Sequence, residues 1–172
     1  MKRLLILGAL LCVSAGAAHA EMISISKARI GDWSVEESED GLTSERRWLA
    51  VAGGDGAGGF LIVKCDPGYN GVYVQALFPK YLGGDFDMRD FTYRIDSTPP
   101  VTDQWEYEKY SALLMDKDKA WKFSKAIRDG KVLRMRGITF EFESRDAKIS
   151  IAGARDALKK VYAGCKDTRW QD

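Results

Sequence analysis

Histidine is almost absent from this 172-residue chain, with a single copy at His19. That scarcity excludes histidine-rich metal sites and leaves little room for histidine-based nucleophilic triads. Cysteine is also sparse: there are 3, and no two form a C-x-x-C pair. A disulfide-dense scaffold and a thioredoxin-like redox motif are therefore both excluded. Neither sign of charge is in excess, with 26 basic against 25 acidic residues. Such a balance leaves no electrostatic footprint for nucleic acid and no polybasic membrane patch. No apolar run reaches the roughly 20 residues that a membrane-spanning helix needs. Serine–lysine hydrolase spacing is missing as well, since Ser26-Lys27 and Ser124-Lys125 are adjacent pairs.

What is present begins with an export signature. Lys2 and Arg3 form a basic start, Leu4 to Val13 is a short apolar run, and Ala18-His19-Ala20 fits an A-x-A cleavage site. The expectation is a secretory signal peptide over residues 1–20, cleaved after Ala20, and a mature domain over residues 21–172 located in the periplasm. Cys12 follows Leu10 and Leu11 rather than a small residue, which argues against lipidation. Removing two basic residues and no acid gives the mature chain a net charge of −1. It also takes away His19 and leaves an even pair of cysteines, Cys65 and Cys165. In an oxidising compartment two cysteines most simply make one disulfide. Closing a loop of about 100 residues is worth roughly 4–5 kcal/mol on the chain-entropy account.

Short β-like runs alternate with turn signals along most of the mature chain. Strands are expected at Trp33 to Glu37, Arg46 to Ala52, Phe60 to Cys65, Val72 to Phe78, Phe91 to Ile95 and around Trp105 and Tyr107. Helical signals come late. Asp116 or Asp118 can cap a helix that runs to about Asp129, with Gly130 as its stop and Ala120, Phe123 and Ile127 inward. Ala154, Ala157, Leu158, Val161, Tyr162 and Cys165 recur at helical spacing on one face. That face would bring Cys165 to the sheet where Cys65 ends a buried strand. The expected fold is thus mainly β (α+β): an antiparallel β-sandwich-like domain, two packed sheets or a strongly bent one, with two helices in the C-terminal third. Between Lys131 and Ile151 the apolar parity switches, from Leu133 and Met135 to Phe140 and Phe142. A bulge at Gly137 and a turn over Ser144 to Ala147 would pair Phe142 with Ile149, Phe140 with Ile151 and Glu143 with Lys148. A tighter hairpin on Gly137-Ile138, pairing Arg134 with Glu141, ranks second.

Four patterns bear on chemistry. Gly54-x-Gly56-x-Gly58-Gly59 resembles a nucleotide loop but is followed by a β-like run, so it reads as a hairpin loop. Asp85, Asp87 and Asp90 offer oxygen ligands of the kind calcium takes, though Arg89 sits among them and a solvated acidic turn is the default. Glu106, Glu108, Glu141 and Glu143 are the carboxylates a glycan hydrolase would need. Each lies on the polar side of an alternating run with Arg134, Arg136 or Lys148 available as partner. In Thr92-Tyr93-Arg94-Ile95-Asp96, a regular strand puts Thr92, Arg94 and Asp96 on one face. Arg94 and Asp96 then form either a surface ion pair or part of a polar patch that docks a ligand or partner.

That segment begins a longer sequence of weak motifs. A Tyr-Arg-Ile-Asp strand precedes a proline break, Trp105, Ser111-Ala112-Leu113-Leu114 and a helix with Phe123. A Lys-Val-Leu-Arg-Met-Arg strand, Ile149-Ser150-Ile151-Ala152-Gly153 and an Ala157-Leu158 helix ending in Cys165 follow. This order resembles the VasI/TagO-like periplasmic proteins associated with type VI secretion, over roughly residues 58 to 166. Cys65, Arg94, Asp96, Arg134 or Arg136, Gly153 and Cys165 sit at the matching places. Leu42-Thr43-Ser44-Glu45 only approximates the short Ser/Asp-Asp motif typical near the start. The resemblance implies a non-enzymatic accessory or binding role in the envelope. The expectation is therefore an envelope protein partner, no catalytic residue, no cofactor and no metal, with Tyr93, Arg94, Asp96, Arg134 and Arg136 as the partner-binding patch. The readings from other classes are a carboxylate-dependent cell-wall glycan hydrolase and a periplasmic enzyme inhibitor.

Overall fold

The computed structural model describes residues 21–170. The expected signal peptide, its cleavage site and Cys12 lie outside the described residues. Ten strands form among the described residues, most of them over runs of alternating apolar residues. In chain order these are β1 (Met22–Ile30), β2 (Trp33–Asp40), β3 (Arg46–Gly54), β4 (Gly59–Cys65), β5 (Tyr73–Leu77), β6 (Asp85–Ile95), β7 (Val101–Glu108), β8 (Ser111–Leu114), β9 (Val132–Ile138) and β10 (Ser144–Ser150). They form one sheet in the order β1-β2-β3-β4-β5-β8-β7-β6-β9-β10, antiparallel at every pairing. The sheet is strongly bent, because β10 packs back against β3 and β4. Trp33 Nε1 donates to the Ile151 carbonyl at 3.0 Å and Asp32 N to the Ala152 carbonyl at 2.9 Å, which fastens this return.

Two helices cover the sheet among the described residues. Helix α1 (Lys117–Ile127) is capped by Asp116, whose carboxylate accepts from the backbone N–H of Asp118 and Lys119 at 2.9 Å each. Those bonds satisfy donors that the first turn cannot pair internally. Ala120, Phe123 and Ile127 are buried as their spacing requires, and Ser124 joins them. Helix α2 (Ala154–Gly164) buries Ala154, Ala157, Leu158, Val161 and Tyr162 against β2, β3 and β4. Cys65, at the end of β4, and Cys165, after α2, are joined in a disulfide with Cα atoms 6.1 Å apart. Trp48 lies opposite Cys65 in the β3–β4 register and its indole lies against Gly164. A Cβ built on Gly164 would come within 2.2 Å of that ring. Beside the disulfide, Asp66 is ion-paired with Arg47 and with Lys64 at 3.3 Å, and it accepts from the Tyr73 hydroxyl. Burial opposes the charge of Asp66, yet these partners outweigh it and hold its carboxyl below the usual range.

The hairpin between β9 and β10 differs from both expected registers. Arg134 pairs with Lys148, Met135 with Ala147 and Leu133 with Ile149. Gly137 sits in regular register opposite Arg145, so no bulge occurs there. The parity switch marks the end of the strand instead. Thr139 to Glu143 forms the turn, closed by the Thr139 N–H on the Glu143 carbonyl at 2.9 Å, with Phe142 at φ 62°. Phe140 and Phe142 are exposed on it, and neither pairs across the hairpin. Pairing Leu133 and Met135 with Ile149 and Ala147 buries four apolar side chains on one face. The expected registers leave that face incomplete, which is why they lose.

Candidate functional site

A concavity of about 720 Å³ lies on the outer face of β6, β9 and β10. Alternation decides what lines it. Phe91, Leu133, Met135, Ala147 and Ile149 turn inward and are buried. The residues between them turn outward, and register then arranges these in two rows. One row is Arg94, Arg134 and Lys148; the other is Thr92, Arg136 and Asp146. The rims are turns. Gly56, Ala57 and Gly58, from the β3–β4 connection, stand beside β10, and Pro100 stands beside β6. Gly58 has φ 77°, and a Cβ there would meet the Asp146 carbonyl oxygen at 3.0 Å, so glycine allows this rim to close on β10.

The two rows are electrostatically unlike. Arg136 and Asp146 form a two-pronged pair, Nε and Nη2 each at 2.7 Å from a carboxylate oxygen. The guanidinium holds the Asp146 carboxyl below its ordinary value, and the carboxylate raises Arg136 in turn. That row is neutral. The first row carries three cations side by side. Among the described residues Arg94 and Lys148 have no ion pair, and Arg134 reaches only the Asp96 carbonyl, at 3.4 Å.

The expected patch of Tyr93, Arg94, Asp96, Arg134 and Arg136 is thus drawn together only in part. Arg94, Arg134 and Arg136 share the outer face of the cleft. Tyr93 lies on the opposite side of β6, where its ring meets Phe123 of α1 edge-on at 4.9 Å. It reaches the cleft wall but is anchored in the core, and burial raises its hydroxyl. Asp96 is not the ion-pair partner of Arg94. Strand β6 ends at Ile95, and Asp96 takes φ 48°, which turns its carboxylate toward β9. There it accepts from the N–H of Val132 at 2.8 Å and of Lys131 at 3.2 Å. Its role is to fix the start of β9 beside β6.

Sequence reasoning missed two parts of the site. Lys148 was expected opposite Glu143, and the true register puts it in line with Arg134. The glycine-rich loop is the hairpin connection its sequence indicates, between β3 and β4, but its place on the rim of the cleft was not foreseen. No local pattern carries either fact, since both depend on how β10 returns to the β3–β4 hairpin.

The acidic candidates lie elsewhere. Asp85, Asp87 and Asp90 belong to β6 rather than to a loop, with a bulge between Asp85 and Asp87. Asp87 is ion-paired with Arg89 at 2.5 Å, and Asp90 accepts from Gln104. Among the described residues no cluster of His, Cys, Asp and Glu is arranged to hold a metal ion. Glu106 and Glu108 stand on β7, whereas Glu141 and Glu143 stand on the β9–β10 turn. Glu108 pairs with Lys109 and Glu143 with Arg145, and none of the four lines the large cleft.

No protein-family model matches the chain, and no curated protein or solved structure matches it. Among the described residues no helix is long and apolar enough to cross a membrane.

Proposed function

We propose that the protein is a non-enzymatic binding or accessory protein of the bacterial periplasm, serving an envelope partner of the type VI secretion kind. The observation that carries the binding reading is the cleft over β6, β9 and β10. Its outer face presents Arg94, Arg134, Arg136 and Lys148 against one acid, Asp146, which Arg136 already holds. Guanidinium groups without a counter-ion suit recognition of an anionic surface. The lining includes no serine, cysteine or histidine, and its one carboxylate is ion-paired, so it resembles a docking surface more than a site of turnover. Export is supported by the basic start, apolar run and Ala18-His19-Ala20, and by a disulfide of the kind oxidising compartments favour. The secretion role rests on the motif order from Tyr93 to Cys165.

The test is fractionation followed by complementation. The protein is expected in the osmotic-shock fraction, beginning at Glu21. Type VI secretion output lost on gene deletion is expected to return with the wild type and not with Arg94→Glu/Arg134→Glu. Peptidoglycan turnover that disappears in Glu106→Gln or Glu141→Gln would overturn the non-enzymatic reading.

A further inference from the structure

Like charges placed directly opposite one another on neighbouring strands repel. The register sets Arg94 opposite Arg134 and Arg134 opposite Lys148. The carboxylates two positions along from the ends of this row, Asp146 and Asp96, are both committed. Asp146 is held by Arg136, and Asp96 is held by the backbone of Lys131 and Val132. The free protein therefore carries a repulsion that an incoming anion would remove. A second concavity, of about 450 Å³, adjoins the first and shares Tyr93 and Arg94 with it. It runs between the β6–β7 turn and α1, and apart from Arg94 and Thr98 its lining is apolar or aromatic: Tyr93, Ile95, Pro99, Val101 and Ala126. Tyr93, Ile95 and Val101 share the face of β6 and β7 that meets α1, so this concavity opens on the other side of β6 from the cationic row.

The row spans two strand spacings, about 10 Å. An extended peptide covers that distance in about three residues. We infer that the cleft docks an acidic, extended segment of a protein partner, with carboxylates two or three residues apart on the Arg94–Arg134–Lys148 row. The inference rests on the binding-protein reading and names the chemistry of its partner. A lone phosphate is too small to span a row spread over three strands, whereas an extended segment matches its length. The neutral second row limits the charged footprint to one line, which fits a strand-like segment better than a broad anionic membrane.

The test uses purified protein and a labelled peptide of alternating acidic and leucine residues, with its Asn/Gln counterpart, inorganic phosphate and anionic phosphatidylglycerol vesicles as the other arms. Binding is followed by fluorescence anisotropy and by amide shifts. The acidic peptide is expected to bind, to shift residues 92–101, 134–136 and 146–148, and to weaken as salt rises. Arg134→Glu is expected to cost at least about tenfold in affinity. Arg94→Gln supplies a readout that a merely structural arginine would not move: affinity falls while the melting temperature rises, because the row loses a repulsion. Failure of the acidic peptide to bind, binding unchanged by Arg134→Glu, or occupation of the row by phosphate or vesicles without the peptide would each overturn the inference. If the peptide fails but a partner in cells is captured equally by wild type and Arg134→Glu, the inference falls and the binding-protein reading stands.

Discussion

Single residues in this protein often do work that their type does not announce. Asp96 looks like half of an ion pair and is instead a brace for backbone N–H groups. Alternation made Arg94 legible as an outward residue, but it could not show that the strand ends one residue before Asp96. Gly164 is a second case, since only the absence of a Cβ lets Trp48 lie against the end of α2. Gly164→Ala is expected to cost about 1–3 kcal/mol by overpacking, read as a lower urea midpoint with the slope unchanged. Tyr162 is a third. Its ring stacks on Trp170 at 5.1 Å and meets Trp121 edge-on, and burial pushes its hydroxyl up to about 12. The unfolded chain gives up that proton near the ordinary value of 10.0. Stability from this group is therefore complete below about pH 10 and falls as pH rises from there through about 12. Tyr162→Phe should remove that share of the alkaline loss, measured as a shallower fall of unfolding free energy with pH.

At the scale of elements, periodicity was a good guide where one face meets the core. Helix α2 and the Cys65–Cys165 link followed from it, as did the inward faces of β5, β7 and α1. Strand β1 was not anticipated because seven of its nine residues are exposed, so burial imposes little pattern there. Strand β8 was missed for the opposite reason: all four residues are buried, and no alternation distinguishes such a run. The β9–β10 hairpin was misread because Phe140 and Phe142 were assigned to a core face. Phe142 is 88% exposed and holds a left-handed backbone. Phe142→Gly is therefore expected to leave stability unchanged or raise it by up to about 1 kcal/mol. The rejected register, in which Phe142 packs on Ile149, demands a clear loss. Thermal unfolding of the variant separates the two.

The whole molecule is one bent sheet whose late strand meets its early hairpin. The disulfide links residues 100 positions apart across this arrangement. Replacing both cysteines with serine is expected to cost up to about 4–5 kcal/mol, seen as a lower urea midpoint that the wild type shares only under reduction. Fold class was readable from composition and turn spacing, while the site was readable only in Arg94, Arg134 and Arg136, because no short stretch of chain contains the whole of it. Its cations come from β6, β9 and β10 and its far rim from Gly56 to Gly58.

That return of β10 onto the β3–β4 hairpin has a consequence for the life of the chain. Contacts so distant in sequence are among the slow ones to form. A nascent or half-folded molecule has the arginines but not the trough that gathers them. Recognition thus becomes a reporter of completed folding, and a bound segment in turn holds the sheet shut, adding to stability as its concentration rises above its dissociation constant.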